Sequence, residues 1–422
     1  MVRLLGWVLV PFIVVLIVLG QHGSAYSLEA LESPALQGDS KPSPDLAQWN
    51  CFRGPNAGVS PCSKAPISWD GPSGKGVIWK AALRMAGVSS PILWSDRVFI
   101  TEGNDKERAV LAFDAANGWR LWRQMVPDGG KGKPLPSVND SGLALPTPAC
   151  DQNGVYALFG TGDLAAFSHE GKPLWQVFLQ RPVIGYGFSS SPCVSKGMVL
   201  VQFDVYENGR ILAIETATGN VKWERERLRG AAWSSPILIP GSDGRPLFLV
   251  NGKGSLTAFD LAGEVAWDLD GVTGEVTPSP AYWNGHIYAV NVGSSLLCYN
   301  VAQHQDSQWQ YKGNLSDTSS PVVSNGLLLM AAANGRLVCV DALTGKELWA
   351  EKNQGCYASL VVSGDRVYAL GRDGTMRIVA AERSYRLIAT CPLGERSDAT
   401  PAISDGRIYI RGRDNLWCLC DK

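Results

Sequence analysis

The residue types that most often perform chemistry are few in this sequence, and they are not grouped. Four histidines occur among 422 residues, and no two of them share a predicted element at metal-ligand spacing. The carboxylates are spread along the chain, so no catalytic pair can be picked out. We therefore predict no metal site and no catalytic residues, although a Ser–His–Asp triad does not require neighbouring positions.

Residues 129–134, Gly-Gly-Lys-Gly-Lys-Pro, have the composition of a phosphate-binding loop. They lack the Gly-x4-Gly-Lys-Ser/Thr spacing, and Pro134 removes a backbone N–H where a phosphate cradle needs donors. We interpret this stretch as the tip of a long surface loop and not as a nucleotide site.

The ten cysteines include no Cys-x-x-Cys pair, which argues against a zinc knuckle or a thioredoxin-type site. Cys298, Cys339 and Cys418 stand where other repeat units have alanine, so we expect them to be small buried apolar residues. Cys51 and Cys62 lie in a short Gly- and Pro-rich stretch before the repeats. We predict that these two form a disulfide in an oxidising compartment.

A hydroxyl residue followed by proline recurs along the chain and opens each unit of an internal repeat. Successive prolines are 57, 44, 44, 44, 41 and 80 residues apart, and the last step is a double one. A degenerate copy at Ala358-Ser359-Leu360 fills that gap, which makes eight units. The seven regular openings are Ser90-Pro91, Thr147-Pro148, Ser191-Pro192, Ser235-Pro236, Ser279-Pro280, Ser320-Pro321 and Thr400-Pro401.

Each unit continues with a turn and an apolar run, and then with an alternating run that has a small residue in its middle, such as Leu-Ala-Phe-Asp at 111–114. A glycine turn and a run containing tryptophan complete it. Short runs bounded by Gly, Asn, Asp and Ser indicate antiparallel strands. Four strands in about 40–45 residues are typical of a propeller blade. We predict an all-β fold, an eight-bladed β-propeller of four-stranded antiparallel blades.

The ring closes if the eighth unit, which holds only three strands, takes its fourth from Val77-Ile78-Trp79-Lys80. Closure would bury an open sheet edge. Seven blades is the alternative, if the seventh unit, which lacks the tryptophan, is not a full blade. The repeated tryptophans are expected to pack between neighbouring blades. They are Trp79, Trp122, Trp175, Trp223, Trp267, Trp309 and Trp349.

The N-terminal region predicts export. Residues 1–27 combine Arg3 with a long apolar run and small residues after it, which indicates a cleaved signal peptide or an N-terminal anchor. Residues 28–48 are rich in Ser, Pro and Ala and are predicted to form a flexible linker. The propeller domain is expected to cover residues 49–422. With 38 basic and 39 acidic residues and no basic run, the chain is not expected to bind nucleic acid.

The repeated Leu-x-Ala-Phe-Asp and Gly-x-x-x-Trp units resemble the pyrroloquinoline-quinone-like (PQQ-like) propeller repeat family, from Trp49 to the C terminus. That family includes quinoprotein alcohol dehydrogenases and the propeller lipoprotein of the bacterial outer-membrane assembly machine. The opening Trp49-x-x-Phe52-Arg53-Gly54-Pro55 is similar to the start of a subgroup of exported propellers.

The resemblance implies two different functions. The dehydrogenases carry an adjacent Cys–Cys disulfide against the quinone, and this chain has no such pair. We therefore favour an exported, non-enzymatic binding or scaffold module of the periplasm or cell envelope without a cofactor, whose partner would be an envelope protein, a peptide or a polysaccharide. The alternative is a PQQ-dependent quinoprotein oxidoreductase with Ca²⁺, and a hydrolase or lyase on the same scaffold is a third possibility.

A binding site is expected on the face of the propeller that carries the loops leading into each innermost strand. Aromatic and charged residues at a funnel mouth suit recognition. The long loop at residues 126–145, between the first two blades, is the best single binding element, because long insertions on one face of a repeat fold tend to carry function. The candidate binding residues are Asn139, Tyr186, Trp233, Glu275, Asp317, Tyr357 and Asp398.

Overall fold

The computed structural model describes residues 48–131, 143–303 and 307–421, which form a closed ring of eight β-sheets. Every blade has four antiparallel strands, and the prediction of an eight-bladed propeller is confirmed. Residues 1–47, with the predicted signal segment and nearly all of the predicted linker, lie outside the described residues, as do Asn139 and His304. None of the described residues forms a helix long and apolar enough to cross a membrane.

Three short strands precede the repeats: β1 (Gln48–Trp49), β2 (Val59–Ser60) and β3 (Val77–Ala82). Blades 1 and 2 contain β4 (Ile92–Trp94), β5 (Arg97–Gly103), β6 (Arg108–Asp114), β7 (Arg120–Met125), β8 (Ala149–Asp151), β9 (Gly154–Leu158), β10 (Asp163–Phe167) and β11 (Pro173–Phe178). Blades 3 and 4 contain β12 (Cys193–Ser195), β13 (Met198–Phe203), β14 (Arg210–Glu215), β15 (Val221–Glu226), β16 (Ile237–Pro240), β17 (Pro246–Gly252), β18 (Ser255–Phe259) and β19 (Val265–Asp270).

Blades 5 and 6 contain β20 (Ala281–Trp283), β21 (His286–Val290), β22 (Leu296–Asn300), β23 (Trp309–Tyr311), β24 (Val322–Ser324), β25 (Leu327–Ala332), β26 (Arg336–Asp341) and β27 (Glu347–Lys352). Blades 7 and 8 contain β28 (Val361–Ser363), β29 (Arg366–Leu370), β30 (Thr375–Ala380), β31 (Leu387–Pro392), β32 (Ala402–Ser404), β33 (Arg407–Arg411) and β34 (Asn415–Leu419). The first strand of each blade lines the central channel. The upper face, as we call it, carries the loops that lead from one blade to the next and those between second and third strands.

The ring is closed by the N-terminal strand, as predicted. β3 pairs antiparallel with β34 and becomes the outermost strand of blade 8, with Trp79 opposite Cys418. Because the two ends of the repeat region share one sheet, neither end leaves an unpaired edge inside the ring.

A small residue on the third strand faces a tryptophan on the fourth strand in seven of the blades. Ala213 lies opposite Trp223 in blade 3, and Cys339 lies opposite Trp349 in blade 6. The cysteine in this position is as buried as the alanines. In blade 7 the sizes are reversed, because Ile378 lies opposite Ala389. The pair keeps one large and one small side chain, so the blade is complete without tryptophan, and the seven-blade alternative is wrong.

The outer tryptophans join each blade to the next one in the ring. The Trp175 indole N–H of blade 2 donates to the carbonyl of Thr216 in a turn of blade 3, at 2.8 Å. Gly219 of that turn lies directly on the ring, because a Cβ there would be 2.8 Å from Trp175 Cδ2. Trp79, Trp122, Trp223 and Trp349 donate to the next blade in the same way, at 2.8 to 3.1 Å.

Blade 7, which offers no outer tryptophan to blade 8, is supported by the N-terminal segment. Cys391 of β31 donates through its thiol to the carbonyl of Ile67, at 3.3 Å. Trp69 is buried in the same hydrophobic cluster as Ile378 of blade 7 and Tyr409 of blade 8. The segment before β3 therefore brings a tryptophan to the blade interface where the repeat has lost its own.

Eight hydroxyl residues form a hydrogen-bonded ring around the channel, which we call the hydroxyl ring. The backbone N–H of each member donates to the side-chain oxygen of the corresponding residue in the next blade, at 2.8 to 3.1 Å. The last bond, from Thr400 to Ser90, joins blade 8 to blade 1. The members are Ser90, Thr147, Ser191, Ser235, Ser279, Ser320, Ser359 and Thr400.

The N-terminal plug, residues 49–60, fills the centre of the ring. β1 pairs with β4 of blade 1, and β2 pairs in parallel with β28 of blade 7. Between these strands Asn50 exchanges hydrogen bonds with the backbone of Cys150 in blade 2. The guanidinium of Arg53 reaches the opposite side, where it donates to the carbonyl of Pro280 at 3.0 Å and to that of Pro321. The plug therefore spans the channel and closes it.

The predicted disulfide between Cys51 and Cys62 is absent from the structure, where all ten cysteines are free. The plug separates the two residues. The Cys51 thiol donates to the carbonyl of Gly54 inside the channel, and Cys62 accepts from the backbone of Gly406 in blade 8. Burial raises the pKa of the Cys51 thiol to about 12.

The hydroxyl ring can be tested with two adjacent serines. Ser235→Ala leaves the buried N–H of Ser191 without its acceptor and should lower the free energy of unfolding by about 1–3 kcal/mol. Ser234 is equally buried, and its hydroxyl has no hydrogen-bond partner in the described part of the chain. Ser234→Ala should therefore change stability by less than about 0.5 kcal/mol. Urea unfolding of both variants measures the difference, and equal losses would contradict a structural role for the ring.

The contact between glycine and tryptophan can be separated from backbone strain. Gly219 and Gly293 have similar positive φ angles of 76° and 74°, but a Cβ at Gly293 would meet nothing within 4 Å. Alanine at either position incurs the strain, which is about 1 kcal/mol. Gly219→Ala should lower the free energy of unfolding by about 1–3 kcal/mol more than Gly293→Ala does, because the added methyl group overlaps Trp175. Thermal and urea unfolding of the two variants provides the comparison, and similar stabilities would show that the contact is loose.

The free thiols give a chemical test. At pH 8 iodoacetamide should leave Cys51 unmodified in the native protein, because a pKa of about 12 keeps it as the thiol. In denaturant and without reductant, all ten cysteines should be alkylated, as read by mass spectrometry. A Cys51–Cys62 peptide that resists alkylation until it is reduced would show that the predicted disulfide forms.

Candidate functional site

A cavity of about 430 Å³, the central cavity, opens on the upper face above the plug. All eight members of the hydroxyl ring line it, together with Phe52 of the plug. The plug therefore forms its floor, and the loops that lead into the innermost strands form its walls. Because the channel is filled below, a ligand can enter this cavity only from the upper face.

Six of the seven candidate binding residues line this one cavity, and Asn139 lies outside the described residues. Each of the six precedes the innermost strand of a different blade, from blade 3 to blade 8. The propeller symmetry brings these positions together although they are far apart in sequence. The six residues are Tyr186, Trp233, Glu275, Asp317, Tyr357 and Asp398. Their role in binding stays a prediction.

One wall of the cavity is aromatic. The Trp233 indole N–H donates to the carbonyls of Gly185 and Gly187, each at 3.0 Å, so the loop between blades 2 and 3 is fixed on the loop between blades 3 and 4. Tyr186, between those glycines, has a φ of 60°, which is rare for a bulky residue. Its ring lies 5.8 Å from that of Trp233, and the side chain is 61% exposed. The strained loop thus presents a tyrosine to the cavity mouth.

The opposite wall holds a cation between an aromatic ring and a carboxylate. Arg372, in the loop between β29 and β30, forms two hydrogen bonds to Asp398, at 2.8 and 3.1 Å. Its guanidinium carbon lies 3.7 Å from the centre of the Tyr357 ring. The hydrogen bonds to Asp398 raise the pKa of Arg372 further above its usual value. Asp398 and Tyr357 are therefore already occupied by a side chain of the protein.

Glu275 and Asp317 lie between these two walls and are exposed. Within the described residues, neither carboxylate has a hydrogen-bond or ion-pair partner. With Asp398 and Arg372, the ionisable side chains that line the cavity carry three negative charges and one positive charge, a net charge of −3 + 1 = −2. The mouth of the cavity is therefore acidic on the side of blades 5 and 6.

A buried cation lies beneath the floor. The side chain of Arg53 is almost completely buried, and burial lowers its pKa to about 9, which leaves it protonated at neutral pH. Its hydrogen bonds go to the backbone carbonyls of Pro280, Pro321 and Ala57. Among the described residues it has no carboxylate partner, so its charge is balanced by carbonyl dipoles.

The sequence did not identify Phe52, Arg372 or the hydroxyl ring as cavity residues. The repeated Ser-Pro and Thr-Pro pairs were the available signal for the ring. On sequence alone these pairs mark only the repeat, because the direction in which the hydroxyls point depends on the closed ring.

The arrangement suits recognition more than acid–base chemistry. His169 and His286 hydrogen-bond to nearby backbone carbonyls at turns opposite the upper face, and neither lines the cavity. The described residues contain no cluster of three or more His, Cys, Asp or Glu side chains that could hold a metal ion. Ca²⁺ takes about six to eight oxygen ligands. Of the three carboxylates that line the cavity, Asp398 is already bonded to Arg372.

The repeat, the eight-bladed ring and the shared strand that closes it define a β-propeller of the PQQ-like class. The family described as outer membrane protein assembly factor BamB matches residues 64–185, 110–351 and 312–416, and the chain belongs to this family. It is 27% identical over 279 residues to the outer membrane protein assembly factor BamB of Escherichia coli, which covers 62% of this chain and 70% of that protein. The Salmonella typhimurium protein of the same name is 26% identical over 278 residues, with the same coverage.

Solved structures show the same fold. The crystal structure of BamB from Moraxella catarrhalis has a TM-score of 0.61 at 17% identity and covers 82% of this chain and 97% of that one. The computationally designed Ika8 protein has a TM-score of 0.62 at 14% identity and covers 82% of this chain and 99% of that one. At this level of identity the likeness concerns the fold alone.

Proposed function

We propose that this protein is an exported, non-enzymatic β-propeller that acts as a binding or scaffold module in the cell envelope. Residues 1–27 would direct export, by cleavage or as an anchor. The upper face would contact a polypeptide partner, and the central cavity would receive part of that partner. No resident cofactor is proposed.

The observation that carries the proposal is the central cavity itself. It is blind and lined by aromatic rings, carboxylates and buried hydroxyls, a mixture that suits recognition of a partly polar ligand. Rigid blades hold these groups, so the partner would meet a preformed surface. Membership of the BamB family supports the same reading, because its relatives are named as outer membrane protein assembly factors.

Site-specific photocrosslinking tests this function. A benzoylphenylalanine at Tyr186, on the rim of the cavity, should form a discrete adduct with an envelope polypeptide in living cells. The matched control is Leu343, which is 56% exposed in a turn of blade 6 away from the upper face, and which should form no such adduct. Fractionation should place the protein in the envelope fraction.

Two results would contradict the proposal. One is a cytoplasmic location of the full chain. The other is saturable binding of pyrroloquinoline quinone with calcium in a calorimetric titration, which would favour the quinoprotein alternative instead.

A further inference from the structure

We infer that the central cavity recognises an extended polypeptide segment through a lysine or arginine side chain, with the backbone carbonyls of that segment bonded to the hydroxyl ring. This inference rests on the proposed function and specifies the chemistry of the partner. The charge at the rim, the hydroxyls that line the cavity and the buried guanidinium of Arg53 each contribute to it.

The charge at the rim selects a cation. Glu275 and Asp317 precede the innermost strands of adjacent blades, line the same cavity, and have no ionic partner among the described residues. Two exposed carboxylates at a concave site attract a positive group, and the contact becomes stronger as water is excluded.

The protein already contains one example of the same recognition. Arg372 is held by the carboxylate of Asp398 and the ring of Tyr357. Across the cavity, the exposed ring of Tyr186 packs against Trp233, and both residues line the same cavity as Glu275 and Asp317. An incoming lysine or arginine would find both components there, with its aliphatic part on the rings and its charge at the carboxylates.

The hydroxyl ring selects a ligand that also carries hydrogen-bond acceptors. Its eight side chains are 2–4% exposed, and each accepts one backbone N–H. In the described part of the chain none of the eight donates its own proton, although all eight line the cavity. Backbone carbonyls of a peptide would accept these protons. A polyamine has no acceptor to offer, and a neutral polysaccharide would leave the carboxylates unpaired.

The buried guanidinium of Arg53 determines how the ligand is oriented in the cavity. It lies on the floor side, where it bonds to Pro280 and Pro321, each directly after a member of the hydroxyl ring. Its positive charge disfavours a second cation near the floor and favours carbonyl oxygens there. The cationic group of the ligand is therefore held at the rim, beside Glu275 and Asp317.

The test uses the purified full chain in a non-ionic detergent and fluorescent nonapeptides blocked at both ends. A peptide of Gly, Ser and Tyr with two central arginines should bind saturably in an anisotropy titration, and the same peptide with glutamine in place of arginine should bind at least about tenfold more weakly. Affinity for the arginine peptide should fall as salt is raised.

Paired variants locate the contact. The double variant Glu275→Gln and Asp317→Asn should weaken binding of the arginine peptide about tenfold and reduce the salt dependence. Glu351→Gln, at an exposed glutamate of the outermost strand of blade 6, should bind like the unaltered protein. Thermal unfolding of each variant checks that the fold is intact, which is expected because neither cavity carboxylate has a hydrogen-bond or ion-pair partner among the described residues.

A third measurement separates a peptide from a simple cation. Spermine should compete with the arginine peptide poorly, because it cannot accept from the hydroxyl ring. Equal affinity for the arginine and glutamine peptides, or no effect of the double variant, would overturn the inference. If an adduct still forms at Tyr186 in cells, the proposed binding function survives that failure. If no adduct forms at Tyr186, that result counts against the proposed function itself.

Discussion

The hydroxyl ring is the interaction on which the rest of the structure depends. A propeller blade cannot bury both of its faces alone, so eight blades are stable only as a closed circle. Each ring hydroxyl satisfies a backbone N–H of the preceding blade at the point where the innermost strands approach the axis. One repeated residue therefore sets the spacing of adjacent blades, satisfies a buried donor and lines the cavity.

The outer part of each blade interface is held differently. There the tryptophan of one blade packs under a turn glycine of the next, and the large apolar surface of the indole stabilises the contact. Blade 7 departs from this pattern, and the departure is compensated twice. Ile378 opposite Ala389 preserves the volume within the sheet, and Trp69 joins the cluster at the interface with blade 8.

The N-terminal plug converts the channel of the propeller into a blind cavity. Its strands extend the sheets of blades 1 and 7, and Arg53 spans to blades 5 and 6. The resulting cavity is polar along its axis, with a buried cation and hydroxyl donors at the floor and carboxylates and aromatic rings at the rim. Under the inference drawn above, the backbone carbonyls of a peptide would face the hydroxyl ring and its cationic side chain would lie at the rim.

Much of the fold could be predicted from the sequence. The repeated Ser-Pro and Thr-Pro openings, the glycine turns and the tryptophans determined the strand order, the blade count and the closure through Trp79, because these features are local and periodic. The loop positions of Tyr186, Trp233 and Glu275 also followed, since their place in the repeat unit sets the face on which they lie.

Other features were decided only by the tertiary structure. The pairing of Arg372 with Asp398, the burial of Arg53, the separation of Cys51 from Cys62 and the position of Trp69 involve residues from non-repeating segments or from different blades. No sequence period specifies which residues meet across the channel. Sequence alone determined the repeat and therefore the ring, whereas the plugged cavity and its charge pattern arise only when the ring closes around the N-terminal segment.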